Sequence, residues 1–142
     1  MSTKTFKGLM ASGTELRIRL GTNDGLTGYK IIKFQLFPNN YNVTDEYNFR
    51  VYSVANKTNN TTFNFDDPQL LVAAYLENSN GVDPVSKEGV VVIDNKKINQ
   101  DIYIQHTSQS ANSCNFYMEL EQVKLDINEA TVATLKNMRG RE

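Results

Sequence analysis

Short runs of alternating apolar and polar residues, separated by clusters of Asn, Asp, Gly, Ser and Thr, recur along most of the chain. Alternation of period two marks a strand with one buried face, and such clusters mark the turns between strands. Residues 14–20 set Leu16, Ile18 and Leu20 against Glu15, Arg17 and Arg19. Residues 21–28 form a turn-rich loop in which Asn23, Asp24 and Gly25 tolerate positive φ. Residues 29–37 set Ile32, Phe34 and Leu36 against Ile31, Lys33, Gln35 and Phe37. Pro38, with no N–H to give a ladder, stops that run. Residues 47–54 set Tyr47, Phe49 and Val51 against Asn48, Arg50 and Tyr52. Further strands are predicted at 63–65, 90–94, 101–107 and 115–125, the last with Phe116, Met118 and Leu120 opposite Tyr117, Glu119 and Glu121. Residues 70–77 (LLVAAYLE) admit a short helix or a buried strand. Eight residues are marginal for a helix and turn clusters flank both sides, so a strand is expected.

The two ends read differently. Val132, Leu135 and Met138 recur every three residues, the spacing of one helix face. Asn128 is placed to cap that helix, Glu129 falls in its first turn, Arg139 in its last, and Gly140 just past it. The predicted helix covers residues 129–139, and at about three turns it needs a surface to pack on. Residues 1–8 read as an N-terminal arm, too polar and too short for a core of their own, with Phe6 as one anchor for a neighbour's groove.

A chain of 142 residues is the length of one domain, 1–142. About eight short strands in such a domain argue an all-β fold. The expected form is a jelly-roll-like antiparallel β-sandwich carrying one short C-terminal helix, with a closed barrel as the alternative. Leu16, Ile18, Ile32, Phe34, Leu36, Phe49, Val51, Ile102, Ile104, Phe116, Met118 and Leu120 are expected in the core.

Composition then narrows the function. Lys and Arg number 15 against 16 Asp and Glu, a net charge of -1, so no basic footprint for nucleic acid is present. The longest apolar stretch, residues 70–76, falls far short of the ~20 that a membrane helix needs. Cys114 is the one cysteine and His106 the one histidine, which excludes an intrachain disulfide and a Cys/His zinc site. The start, MSTKTFK, has no apolar signal region, so synthesis and folding in a cytosol are expected. The sequons at Asn42, Asn56, Asn59 and Asn60 then read as turn composition rather than glycosylation sites.

Four constellations have the residue types of chemistry. His106 and Cys114, eight positions apart, would be cross-strand neighbours if their strands pair around 108–113. No orienting group or oxyanion element accompanies them, and a free Cys is commonly a small buried hydrophobe. Asp66 and Asp67, and Glu119 with Glu121, supply carboxylates of the kind glycoside hydrolysis uses, yet acids at i and i+2 also describe a solvated strand face. Residues 78–83 (NSNGVD) carry oxygen ligands at alternate positions, but position twelve from Asn78 is Gly89 where a calcium loop wants Glu, so a turn is expected. Tyr41, Tyr52 and Tyr103 are candidates for a carbohydrate platform in a chain without Trp. No Gly-rich loop opens a helix to cradle phosphate. The expectation is therefore no catalytic residue, no cofactor and no metal.

Asparagine is about one residue in eight, with many Thr, Tyr and Ile, which suggests an AT-rich genome and a polar, catalytically silent surface. Residues 20–29 (LGTNDGLTGY), 99–104 (NQDIYI), 119–125 (ELEQVKL) and 128–136 (NEATVATLK) resemble small virion structural proteins of marine tailed bacteriophages. The likeness covers most of the chain in organisation and maps no functional residue. It implies a non-catalytic virion component, a head decoration or cement protein or a part of tail or neck, in contact with the major capsid protein or neck and tail proteins and with copies of itself. Neither nucleic acid nor membrane is an expected partner. The alternative is a small carbohydrate- or cell-surface-binding β-sandwich module.

Overall fold

A computed structural model describes residues 2–21, 26–59, 62–78, 90–126, 128, 129, 131 and 133. It is all-β. Eight strands follow in order: β1 (Thr3–Met10), β2 (Thr14–Ile18), β3 (Thr27–Pro38), β4 (Asp45–Tyr52), β5 (Leu70–Asn78), β6 (Val90–Ile93), β7 (Ile102–Ser108) and β8 (Cys114–Lys124). They form two antiparallel sheets, one of three strands in the order β1-β8-β3 and one of five in the order β2-β7-β4-β5-β6. One core joins them. Phe34, Phe116 and Met118 enter it from the three-stranded sheet, and Phe49, Ile102 and Ile104 from the five-stranded one. The rings of Phe34 and Phe116 stack at 6.1 Å, and Phe34 meets Phe49 across the sheets at 5.9 Å and 58°, the offset and tilted arrangements that aromatic quadrupoles favour.

Residues 70–77 are a strand, as expected, and β8 alternates as its sequence reads, with Cys114, Phe116, Met118 and Leu120 buried. Elsewhere the alternation breaks for identifiable reasons. In β3 the pairing with β8 steps from Ile31↔Leu120 to Lys33↔Glu119, so Ile32 is an extra residue in a β-bulge. Ile31 is therefore buried at 5% and Ile32 turned out to solvent at 46%, the reverse of the expected core assignment, while Phe34 and Leu36 keep theirs. Leu16 is 39% exposed because β2 pairs with β7 alone and forms the edge of its sheet.

Residues 63–65 are not a strand; they belong to the connection between β4 and β5, where Phe63 packs on Tyr52, Leu70 and Ala73. The eighth strand is instead β1. The expected N-terminal arm runs along β8 with Phe6 opposite Met118, and Phe6 packs on this chain's own core rather than serving as a free anchor. The alternation Phe6, Gly8, Met10 is thin in apolar side chains, but the free edge of β8 supplies the missing ladder. Strand ends are set by side chains as well. The Asp101 carboxylate accepts from the N–H groups of Leu20 and Gly21 at 2.9 and 2.8 Å and from Arg17, so β2 stops at Ile18 and β7 starts at Ile102. Gly28 sits where a Cβ would come within 3.0 Å of the Leu125 side chain, which explains a glycine there.

Past β8, the Glu129 N–H donates to the Asp126 carboxylate at 2.7 Å, and the Asp126 N–H reaches back to Glu129 at 3.5 Å. This reciprocal pair has the form of a capping box, and the expected cap, Asn128, takes no part in it. Val132, Leu135, Met138, Arg139 and Arg141, and so most of the helix expected over 129–139, lie outside the described residues.

Candidate functional site

The two groups with most nucleophilic potential stand on different sheets. β7 and β8 do not pair with each other, so His106 and Cys114 are not cross-strand neighbours. Both are fully buried. The Cys114 thiol is 3.5 Å from the carbonyls of Phe37 and Asn115, and burial pushes it up to about 12. The His106 imidazole is pulled below its ordinary range by burial, against the opposing effect of the Met10 carbonyl on Nδ1. A thiol held protonated cannot act as nucleophile, because the thiolate is the reactive form.

The carboxylates are scattered. Asp67 caps the 53–69 connection by accepting from the Gln69 N–H at 2.9 Å and pairing with Lys57 at 3.0 Å. The Asp66 N–H donates to the Asn64 side chain. Glu119 and Glu121 lie on the outer face of the other sheet, where Glu119 accepts from the Tyr117 hydroxyl at 3.0 Å. Among the described residues no three His, Cys, Asp or Glu side chains gather to hold a metal ion. Of the calcium-like run 78–83 only Asn78 is described, and its amide donates to the carbonyls of Tyr41 and Val43. Tyr52 and Tyr103 face each other across β4 and β7, and Tyr52 is buried. Tyr41 precedes the opposite end of β4, so the three tyrosines make no common platform.

Two polar devices have no plain signature in the sequence. Asp45 is buried and holds the turn between β7 and β8. It accepts from the Ser110 N–H at 2.9 Å, the Asn112 N–H at 3.2 Å, the Asn112 amide at 2.8 Å and the Glu46 N–H at 2.7 Å. Burial pushes this carboxyl up, but those hydrogen bonds together hold it below the usual carboxylate range. Between the two bonded residues, Ala111 takes a left-handed φ of 63°.

The second device is Arg50. Read as solvent-facing in the alternation, it is wholly buried because Asn59, Thr62 and Phe63, between β4 and β5, lie over that face of β4. Its guanidinium donates to the Asn59 side chain at 2.8 Å and to the Thr62 carbonyl at 3.4 Å, and stands 5.3 Å from the Phe63 ring centre. Gln105, opposite it on β7, donates to Glu15 and to the Lys57 carbonyl. Among the described residues no carboxylate pairs with Arg50, and burial lowers its pKa. These contacts fasten the connection onto the five-stranded sheet.

Among the described residues two cavities and one bare face stand out. A cavity of about 480 Å³ has Pro68, Leu71 and Ile98 as its apolar part and Lys96 and Lys97 at its side. Both lysines are engaged, Lys96 with the Pro68 carbonyl and Asp94, Lys97 with Glu129. A wider groove of about 1050 Å³ opens beside Leu36, Phe116, Leu76 and Val91. The bare face is the outer side of the three-stranded sheet. Glu119 and Glu121 run down its middle, with Lys33 and Lys30 opposite them on β3 and Thr5 and Thr3 opposite them on β1.

No family model, no curated protein and no solved structure matches this chain.

Proposed function

We propose that this chain is a non-catalytic structural component of a tailed-phage virion, a capsid-associated decoration or assembly protein whose partners are the major capsid protein or neck and tail proteins and copies of itself. The observation that carries this reading is the strand order. Seven of the eight strands alternate as β1-β8-β3 facing β2-β7-β4-β5. That is the order of a jelly roll in which β6 has stayed beside β5 instead of joining β3, and jelly rolls are a recurrent architecture of viral shells. We therefore read the two sheets as a jelly-roll-like sandwich, with residues 129–139 as one short C-terminal helix. The warrant is one of architecture, since folds host several functions. The resemblance of residues 20–29 and 119–136 to small virion proteins points the same way.

Density-purified particles of the phage that encodes this chain provide the test. Quantitative mass spectrometry is expected to find the protein in many copies per particle, in fixed ratio to the major capsid protein. Its absence from purified particles, with abundant protein in the infected cell, would overturn the reading.

A further inference from the structure

We infer that the outer face of the three-stranded sheet is a docking surface for a second copy of this chain. The inference deepens the proposed function by naming the surface and the partner.

The two sheets treat their outer faces differently. The five-stranded sheet has the middle of its outer face, at Arg50 on β4, covered by Asn59, Thr62 and Phe63, while Val92 at its edge stays 48% exposed. Among the described residues nothing comparable lies over the three-stranded sheet, where Ile32 and Phe37 stand 46% and 68% exposed. Charges on this face are held by Tyr117 rather than by one another: Lys33 stands 6.0 Å from its ring centre and Glu119 accepts from its hydroxyl at 3.0 Å. Among the described residues Lys30, Lys33 and Glu121 enter no ion pair, although Lys33 lies opposite Glu119 and Lys30 opposite Glu121.

The pattern is self-complementary. Consider a two-fold axis parallel to the strands and placed between β3 and β8. It sets β8 of each copy over β3 of the other, so that Glu119 meets Lys33 of the second copy and Glu121 meets Lys30 of the second copy, each pair occurring twice. Such reciprocity is what a closed isologous dimer requires. Sheets pack about 10 Å apart, a gap that facing Lys and Glu side chains span, with Ile32 as the apolar group between them.

Area decides how strong the contact is. β8 has 11 residues, which at about 3.3 Å each makes a face about 36 Å long, and three strands about 4.8 Å apart make it about 14 Å wide. Full overlap would bury roughly 1,000 Å² in total, the lower bound for a specific interface, and the two strands that overlap about this axis bury roughly 700 Å². An offset of one strand leaves β1 outside the overlap, so the contact is weak for an isolated pair and gains through multivalency in an assembly.

Charge reversal tests this without relying on a particle. Sedimentation equilibrium of the purified protein from micromolar to millimolar concentration is expected to show a reversible monomer–dimer equilibrium that weakens as salt is raised. Lys33→Glu and Glu119→Lys, each alone, are expected to be monomers with unchanged circular dichroism. An equimolar mixture of the two variants is expected to dimerise again, because every facing pair at that row is then of opposite charge. Lys30→Glu and Glu121→Lys give the same test one row along should either first variant fold poorly. A wild type that stays monomeric throughout, or a mixture that stays monomeric while the wild type dimerises, would overturn the inference. A monomeric chain that is still found in particles would overturn this inference alone. A chain that dimerises in this pattern but is absent from particles would overturn the virion reading alone.

Discussion

The imidazole of His106 lies flat against the ring of Phe49, with ring centres 4.4 Å apart and planes 15° from parallel. Its Nδ1 is 3.0 Å from the Met10 carbonyl. A carbonyl only accepts, so Nδ1 carries the proton and Nε2, which has no partner among the described residues, holds the lone pair. One side chain thus fills the core between the sheets and ties the end of β1 to β7.

This placement makes stability depend on pH. Burial depresses the folded-state pKa of His106 below its ordinary value of 6.5. Below that value the unfolded chain takes up a proton that the native chain does not, so the contribution is whole above pH 6.5 and is lost as pH falls toward the folded value. Asp45 and Asp101, both held below the usual carboxylate range, add losses of the same sign at lower pH. Thermal melts taken from pH 8 down to pH 5 are expected to show a falling midpoint for the wild type and a flatter profile for His106→Phe, whatever the absolute stability of that variant. Parallel profiles would show that His106 is not the titrating group.

The bulge in β3 is tested by two neighbouring isoleucines. Ile31→Ala removes a buried side chain and is expected to cost about 2–5 kcal/mol. Ile32→Ala is expected to lie within about 0.5 kcal/mol of the wild type, since its side chain faces solvent. Urea titrations of the two variants measure the difference, and equal costs would place the bulge elsewhere.

Cys114 is expected to resist alkylation at pH 8 in the folded protein and to react fully in denaturant. Its thiol is inaccessible and is pushed up to about 12, so thiolate is scarce. Mass-resolved iodoacetamide labelling reads this directly, and rapid labelling of the native chain would contradict the burial.

Removing residues 2–7 is expected to lower the urea midpoint sharply, because it strips most of β1 from β8. Phe6→Ala separates the packing contribution from the ladder. It is expected to cost about 1–3 kcal/mol, less than a fully buried Phe. An unchanged midpoint for the deletion would return this segment to the role of a free arm.

Period two was legible wherever a strand has one buried face and an unbroken ladder, as in β8, where every expected core residue is buried. It misled at Ile32, because a bulge inserts a residue without changing composition. It misled at Arg50, because a strand covered on both faces does not announce which of its polar positions are sealed by a distant connection. β1 was invisible for a third reason: its partner is β8, at the far end of the chain, and local composition carries no record of that pairing. The pairing expected of His106 and Cys114 fails for the same cause. His106 and Cys114 are neighbours in sequence that the topology assigns to opposite sheets.

The last of the described strands is also the middle of the three-stranded sheet. β8 pairs Glu121 with Thr3 on one side and Lys30 on the other. Until residues 114–124 leave the ribosome, β1 and β3 have no partner in their own sheet, while the adjacent strands β4 and β5 can already pair. Completion of this sheet therefore waits for β8 and is gated by closure of the loop from Thr3 to Glu121, and it is slow as distant pairings are. A chain terminated before Cys114 would hold two strands with open ladders, the kind of surface on which nascent chains aggregate or recruit chaperones.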